Sequence, residues 1–392
     1  MKSVLLRAPL LTNSGYGVHS RQIFEWLLTN KDLNVFVQTL QWGATPWIIN
    51  PNAEGGIFGK IMERAKHIEG NTFDITFQVQ LPDEWDESLG RFNVGVTALV
   101  ETDRCNPGWF EKMMSMDKIV VPSEFTKQVI RNTFGSVFDN KVHVIPEWFN
   151  TCLNVSDNEL KQIFDDRYRF DTKFNLLTIG TLTSADSNSD RKNLVNTIRW
   201  AIEALDGQED TGIIVKTCLG KGSVKDREMS KLVISQIANN FRTSDFPKIH
   251  LIHGNMTKQE VAALFRLYSV KGYITATRGE GYGLPLIEAA AAGVPVIATG
   301  WSGHLDFLQD SFLKVDYELE TITDSRIDNR IFVKGSRWAN PSRESFISCI
   351  NDLRKNYKIH EENSRILKKN INRLFSKDKV CKKYDKILKE CI

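Results

Sequence analysis

The run Arg278-Gly-Glu-Gly-Tyr-Gly-Leu-Pro-Leu-Ile-Glu-Ala-Ala-Ala-Ala-Gly-Val-Pro-Val-Ile-Ala298 reads as a strand end, a glycine-rich loop, a two-turn helix and a second buried strand. Gly279, Gly281 and Gly283 allow backbone geometries and a close approach that side chains would forbid. Pro285 suits a first helical turn, where its missing N–H costs nothing. Gly293 stands where a left-handed C-cap is expected, and Pro295 stops any continuation. Such a loop presents backbone N–H groups at a helix N-terminus, which is an anion site at the carboxyl edge of a parallel sheet. Glu280 lies in the loop and Glu288 in the helix, so both carboxylates are expected at one pocket. The glycine turn alone is compatible with a dinucleotide, a flavin or no ligand. The two carboxylates followed by the Ala-rich helix are more specific.

Outward from this run, short β-rich segments alternate with helical patterns, which predicts α/β architecture with parallel sheets built from βαβ units. In the first half, strands are expected at Ser3–Leu6, Val35–Leu40, Asp74–Gln78, Val94–Leu99, Lys118–Val121 and Val142–Ile145. Helices are expected at Val18–Thr29, Pro107–Met116 and Ser123–Asn132, with Gln41–Gly70 as an elaborated loop. Polar sequence between Glu147 and Thr172 reads as an interdomain linker, in which Leu160–Phe164 could form a short helix. A second alternation follows, including a helix Lys192–Leu205 and a strand Gly212–Thr217, and the chain closes in helix from Glu344 onward. The expected division is an N-terminal domain over 1–165, a C-terminal domain over 172–365 and a basic helical tail over 366–392.

A chain of 392 residues exceeds what one core usually serves. With 41% hydrophobic and 25% charged residues it falls in the globular class rather than the disordered or fibrous ones. The net charge of +3 is concentrated: residues 365–392 carry ten basic and three acidic side chains, leaving the rest of the chain net acidic. Six scattered cysteines without metal-ligand spacing fit reduced thiols and a cytoplasmic protein. Arg7 and Pro9 break the first apolar run, so it reads as a strand rather than a signal peptide. No stretch approaches the roughly 20 apolar residues of a membrane span, which leaves a soluble protein or one peripheral to a membrane.

The carboxylate pair with its glycine loop and alanine helix resembles the signature of the retaining family-4 glycosyltransferases, and the likeness continues through Trp301-Ser-Gly-His304, Asp306 and Phe307. That resemblance implies the GT-B fold: two Rossmann-like domains facing each other across a cleft, with C-terminal helices packing back toward the first. It implies that Glu280 lies near the donor sugar hydroxyls and that Glu288 holds the nucleotide ribose. Gly281, Tyr282, Gly283 and Leu284 would then line the donor. Arg191 and Lys192, in the Arg191-Lys192-Asn193 run, match a cation pair that neutralises the leaving diphosphate. The family's arginine often follows the strand glycine directly, where this chain has Thr181, so Lys192 is the firmer assignment of the two. A solvated basic pair at a helix start is the competing reading. Lys216 is a further candidate for the donor.

In the first half, Asn13-Ser-Gly-Tyr-Gly-Val-His-Ser20 resembles the N-domain glycine loop of the same fold, with Gly15 and Gly17 as contact positions and His19 as a packing residue. Glu101 is expected to face the acceptor, or else to anchor Arg104. Five tryptophans (Trp42, Trp47, Trp85, Trp109 and Trp148) are candidates for stacking on an acceptor ring or for the core.

The implied reaction is retaining transfer from a nucleoside-diphosphate sugar, used as co-substrate, to a hydroxyl of a carbohydrate, a lipid or a modified DNA base. No metal cofactor is expected, because no Asp-x-Asp pair stands where it would hold a metal–diphosphate. A dinucleotide oxidoreductase is disfavoured by the lack of an acidic residue about 20 positions after Gly15. A non-catalytic sugar-nucleotide-binding protein stays open. So do three fates of the basic tail: packing on the N-domain, following DNA phosphates, or lying on an anionic membrane.

Overall fold

The computed structural model describes residues 1–65, 70, 72–155, 169–182, 187–218 and 222–391. The described residues form two compact units: Met1–Trp148 with Asp328–Val333 and Lys377–Ile392, and Phe149–Ile327 with Lys334–Ser376. The division thus falls earlier than the expected position 165, and the last helix groups with the first unit. The expected short helix at Leu160–Phe164 lies outside the described residues.

Unit 1 runs β1 (Lys2–Ala8), α1 (Gly15–Leu27), β2 (Leu33–Thr39), α2 (Ala53–Arg64), β3 (Phe73–Val79), β4 (Gly90–Val96), α3 (Phe110–Ser115), β5 (Lys118–Val121), α4 (Glu124–Phe134) and β6 (Val142–Val144). Its six strands form a parallel sheet in the order β2-β1-β3-β4-β5-β6. Unit 2 begins β7 (Phe174–Ile179), α5 (Leu194–Leu205), β8 (Thr211–Thr217), α6 (Val224–Phe241), β9 (Lys248–His253), α7 (Lys258–Phe265) and β10 (Val270–Thr275). It continues α8 (Leu284–Ala292), β11 (Val296–Thr299), α9 (Leu305–Leu308), β12 (Leu313–Val315), the hairpin β13 (Tyr317–Thr321) and β14 (Arg337–Pro341), α10 (Arg343–Lys355) and α11 (Tyr357–Leu374). Its sheet has the order β12-β11-β10-β7-β8-β9, again all parallel. Finally α12 (Lys377–Cys391) belongs to unit 1.

Both sheets bury apolar side chains on two faces, so their strands read as near-continuous hydrophobic runs covered by helices. In α12, Val380, Tyr384, Ile387 and Leu388 recur at helical spacing and are all buried in unit 1. The Tyr384 ring lies 4.9 Å from that of Trp26, and its hydroxyl is 2.9 Å from Nε2 of the buried His19. Trp26 Nε1 donates to Asp385, and Lys377 pairs with Glu25 at 2.6 Å.

Two local expectations are corrected. Within Gln41–Gly70, α2 forms because Ile57, Phe58 and Ile61 bury one face in the core, while Glu54, Gly55 and Gly56 at positive φ obscure its start. The second correction concerns α5, which begins at Leu194 rather than Lys192. Asn193 adopts φ 50°, and the Asp190 carboxylate accepts the Leu194 N–H at 2.8 Å. Arg191 and Lys192 therefore sit in the turn before the helix, not in its first turn.

The packing of α12 makes a testable statement. Tyr384→Ala should cost unit 1 about 3–5 kcal/mol, the usual penalty for emptying an aromatic site. Tyr384→Phe, which removes only the bond to His19, should cost about 1 kcal/mol. Urea unfolding of the full chain measures both, and a loss under about 1 kcal/mol for the alanine variant would remove α12 from the cooperative core.

Candidate functional site

In unit 2 the strand order reverses between β7 and β10, and helices leaving those two strands depart to opposite sides of the sheet. A crevice at the carboxyl ends of such neighbouring strands is where open α/β sheets bind ligands. Here it is lined by Thr178 and Ile179 at the end of β7 and Gly180 just after it, Tyr273 and Thr275 of β10, Lys192 and Leu194 before and within α5, and Glu280, Pro285 and Leu286 around the start of α8. Gly283 (φ 101°) turns the chain into α8, Pro285 occupies its first turn, and Gly293 (φ 83°) ends it. The positive end of the α8 dipole therefore opens on the crevice.

Glu280 is 8% exposed, and its carboxylate is the centre of the site. Lys192 Nζ donates to both carboxylate oxygens at 2.7 Å, and Thr277 Oγ1 donates at 2.9 Å. Arg191 lies 3.7 Å away and donates to the Gly279 carbonyl at 2.8 Å. Burial, the largest influence, would raise the Glu280 pKa. The charges of Lys192 and Arg191 and the hydrogen bonds from Lys192 and Thr277 together outweigh it and hold the group at about 2. The Asp190–Asn193 turn that presents both cations is itself fixed. Asp190 accepts the N–H groups of Lys192 and Leu194, Asn193 donates to the Ala276 carbonyl, and the Arg278 N–H donates to Arg191. Of the sequence candidates, Glu280, Arg191 and Lys192 are thus brought into one cluster.

Glu288 is half-buried in the second turn of α8 and makes no side-chain hydrogen bond within the described residues. Burial pushes its pKa up to about 8, with Lys258 pulling the other way. It does not line the crevice, although both it and Glu280 act on the buried Tyr273 hydroxyl. Tyr282 is buried and packs its ring 5.2 Å from that of Phe307, which gives it a place in the core, while Leu284 is half-buried. Gly281 lies under Gly303, where an added Cβ would meet the Gly281 oxygen at 2.2 Å. Lys216 is placed beside Ile179 by the β7–β8 register, and its Nζ donates to the Gly254 carbonyl at 2.6 Å. Burial lowers its pKa. Thr181 is exposed. No three His, Cys, Asp or Glu side chains are grouped for a metal among the described residues.

Unit 1 holds the remaining candidates. Gly15 opens α1 with free space around its Cα, whereas a Cβ on Gly17 would meet the Thr12 carbonyl oxygen at 2.2 Å. Position 17 therefore has no room for a side chain. Glu101 is half-buried beyond β4, and Arg104 pairs with Asp103 at 3.7 Å. Burial raises the Tyr16 hydroxyl pKa, and the Glu101 and Glu147 charges add to it. Trp85, Trp109 and Trp148 are core residues, Trp42 stacks on Tyr16 at 3.9 Å, and Trp47 is 43% exposed. On α12, Lys379, Lys382, Lys383, Lys386 and Lys389 are exposed. No described helix is long and apolar enough to cross a membrane.

Sequence reasoning missed Thr277, Asp190 and Asn193, which fix the cluster from behind. Asp190 and Asn193 carried a signal, since both residue types favour helix entries. Thr277 carried none, because a threonine at a strand end is ordinary.

No family model matches the sequence, and no curated protein matches it either. Solved structures do match along the whole chain. A glycosyltransferase from Rickettsia africae superposes with a TM-score of 0.66 at 13% identity, covering 100% of this chain and 98% of that one. Anabaena HepE, solved with UDP and glucose, gives 0.65 at 11% identity over 99% and 100%. Sucrose-phosphate synthase from Thermosynechococcus elongatus gives 0.63 at 13% identity over 100% and 99%. At these identities the likeness establishes architecture, and the chain is an α/β protein with the paired six-stranded parallel sheets of the GT-B fold.

Proposed function

We propose that the chain is a glycosyltransferase that moves a sugar from a nucleoside-diphosphate sugar to a hydroxyl acceptor, with retention of configuration and without a metal. The observation that carries this reading is the buried Glu280–Lys192–Arg191 cluster at the strand-order reversal, beside the N-terminus of α8. A carboxylate held ionised in a buried site can accept from sugar hydroxyls, and two adjacent cations with a helix N-terminus match a diphosphate. HepE, whose crystals hold UDP and glucose, has the same fold and supports the assignment.

In the proposed reaction the bond between the sugar's anomeric carbon and the diphosphate oxygen breaks while the acceptor oxygen bonds to the same face. The acceptor proton passes to the leaving phosphate. Lys192 and Arg191 offset the charge that develops there, the kind of electrostatic term that is usually largest in catalysis. The Lys192 ammonium already neutralises Glu280, so a bound donor must share it. Glu288 is proposed to accept from the two ribose hydroxyls. Gly281, Gly283, Leu284, Lys216 and Gly15 are proposed donor contacts, and Glu101 an acceptor-side carboxylate.

Lys192→Ala should lower turnover about 10²–10³-fold, and chelation of divalent cations should leave the wild type unchanged. Single-turnover assays with UDP-, GDP- and ADP-sugars test both. A loss under about twofold for the variant would withdraw the phosphate role, and loss of activity on chelation would withdraw the metal-independent mechanism.

The raised pKa of Glu288 gives a pH prediction with a definite sign. Free protein carries a protonated Glu288 below about 8, whereas ribose hydroxyls favour the carboxylate, so binding releases a proton. Nucleoside-diphosphate affinity should therefore rise from pH 6 toward 8, by up to about tenfold per unit, and level off above. Calorimetry should find Glu288→Gln weaker and flat with pH. A wild-type affinity that falls over that range contradicts the assignment.

A second reading keeps the donor chemistry and changes the acceptor. The five exposed lysines on α12 favour an acceptor carried on an anionic polymer or surface, either a hydroxylated base in DNA or a membrane lipid. Duplex affinity should then fall by roughly 0.9 log units per tenfold salt for each phosphate neutralised. Replacing Lys382, Lys383, Lys386 and Lys389 by Gln should flatten that slope and leave donor hydrolysis intact. No gel shift at low salt and no sedimentation with phosphatidylserine vesicles would return the face to plain solvation.

A further inference from the structure

Beyond the carboxylate and its cations, the turn Trp301–His304 between β11 and α9 grips the backbone of Glu280. The Glu280 N–H donates to Ser302 Oγ at 2.9 Å, and the Gly303 N–H donates to the Glu280 carbonyl at 2.9 Å. Both backbone groups of the residue are thus held by two consecutive residues of one turn. This approach is only possible because residue 303 is glycine, whose added Cβ would overlap the Gly281 and Glu280 carbonyl oxygens at 2.2 and 2.8 Å. Ser302 has φ 92°, a backbone region that favours glycine, so its side chain is kept at a conformational cost. Positions that keep a non-glycine residue there are often ones where the side chain has a task.

The hydrogen-bond directions around Ser302 follow from one fixed acceptor. His304 is fully buried, and its Nε2 lies 2.8 Å from the Thr299 carbonyl oxygen, which can only accept. Nε2 therefore carries the proton and Nδ1 presents a lone pair. Ser302 Oγ, 3.4 Å from Nδ1, points its hydrogen that way and turns its own lone pairs to the Glu280 N–H. The relay runs from a strand carbonyl through a neutral imidazole and a hydroxyl to one peptide group.

We propose that Ser302 and His304 are positioning residues, acting through this relay to hold the Glu280 carboxylate where Lys192 and the donor sugar meet it. What the positioned carboxylate does rests on the transferase reading above; that it is positioned does not.

Ser302→Gly tests the relay with little danger to the fold, since glycine is at ease at φ 92° and only the small hydroxymethyl group is lost. The Glu280 amide should exchange with solvent at least about tenfold faster, while the amides of α8 keep their protection. The Glu280 carboxyl, followed by 13C NMR, should titrate higher than in the wild type as its contact with Lys192 loosens. Turnover should fall about tenfold to a hundredfold, with affinity for UDP, GDP or ADP within about twofold of the wild type. His304→Asn, which keeps an acceptor near the Nδ1 position, should retain more of each property than His304→Phe. Unchanged exchange and titration in Ser302→Gly would overturn the proposal, as would altered exchange with a wild-type titration. A wild type that turns over no sugar nucleotide would defeat the transferase reading alone, because both NMR measurements decide the positioning role without activity.

Discussion

Burying a carboxylate without partners costs several kcal/mol or neutralises the group. Glu280 is buried and stays ionised, and much of unit 2 near the strand-order reversal is arranged around that constraint. The Asp190–Asn193 turn exists in its observed form because Asp190 takes two N–H groups and Asn193 reaches the Ala276 carbonyl. That geometry, not helix propensity, puts Arg191 and Lys192 on the carboxylate. On the other side, Thr299 donates to the Thr277 carbonyl while Thr277 donates to Glu280, so the ends of two neighbouring strands converge on one charge.

The two carboxylates of the Glu280–Glu288 run show how environment divides identical chemistry. Glu280 has two cations and three side-chain hydrogen bonds and is held at about 2. Glu288, eight residues on, has burial without a side-chain hydrogen bond among the described residues and is pushed to about 8. One group is ionised at any physiological pH, whereas the other changes state within that range. Opposed shifts of this kind in neighbouring acids are characteristic of functional sites.

Where residue type alone dictates conformation, the sequence was legible. Gly293 and Pro285 gave both ends of α8, Ser123 gave the entry to α4, and the alternation of strands and helices gave two parallel sheets. The Glu280 cluster was legible as a set of residue types but not as a contact. Lys192 and Glu280 are 88 positions apart, and only the sheet order joins them. The start of α5 was misread because the left-handed Asn193 leaves no periodic trace. The relay through Ser302 and His304 was hidden for a similar reason: Gly303 marked a close approach, but nothing in the sequence says to what.

Unit 1 takes its final core residues from α12, which follows all of unit 2 along the chain. During synthesis the N-terminal unit emerges first, and domains generally fold in that order. Here emergence and completion are reversed. The sheet of unit 1 must wait, with the groove beside Trp26 and His19 uncovered, until the whole second unit has been made. A nascent chain stalled anywhere in unit 2 therefore exposes apolar surface on the half already out of the ribosome, and that surface is what a chaperone or a protease would meet.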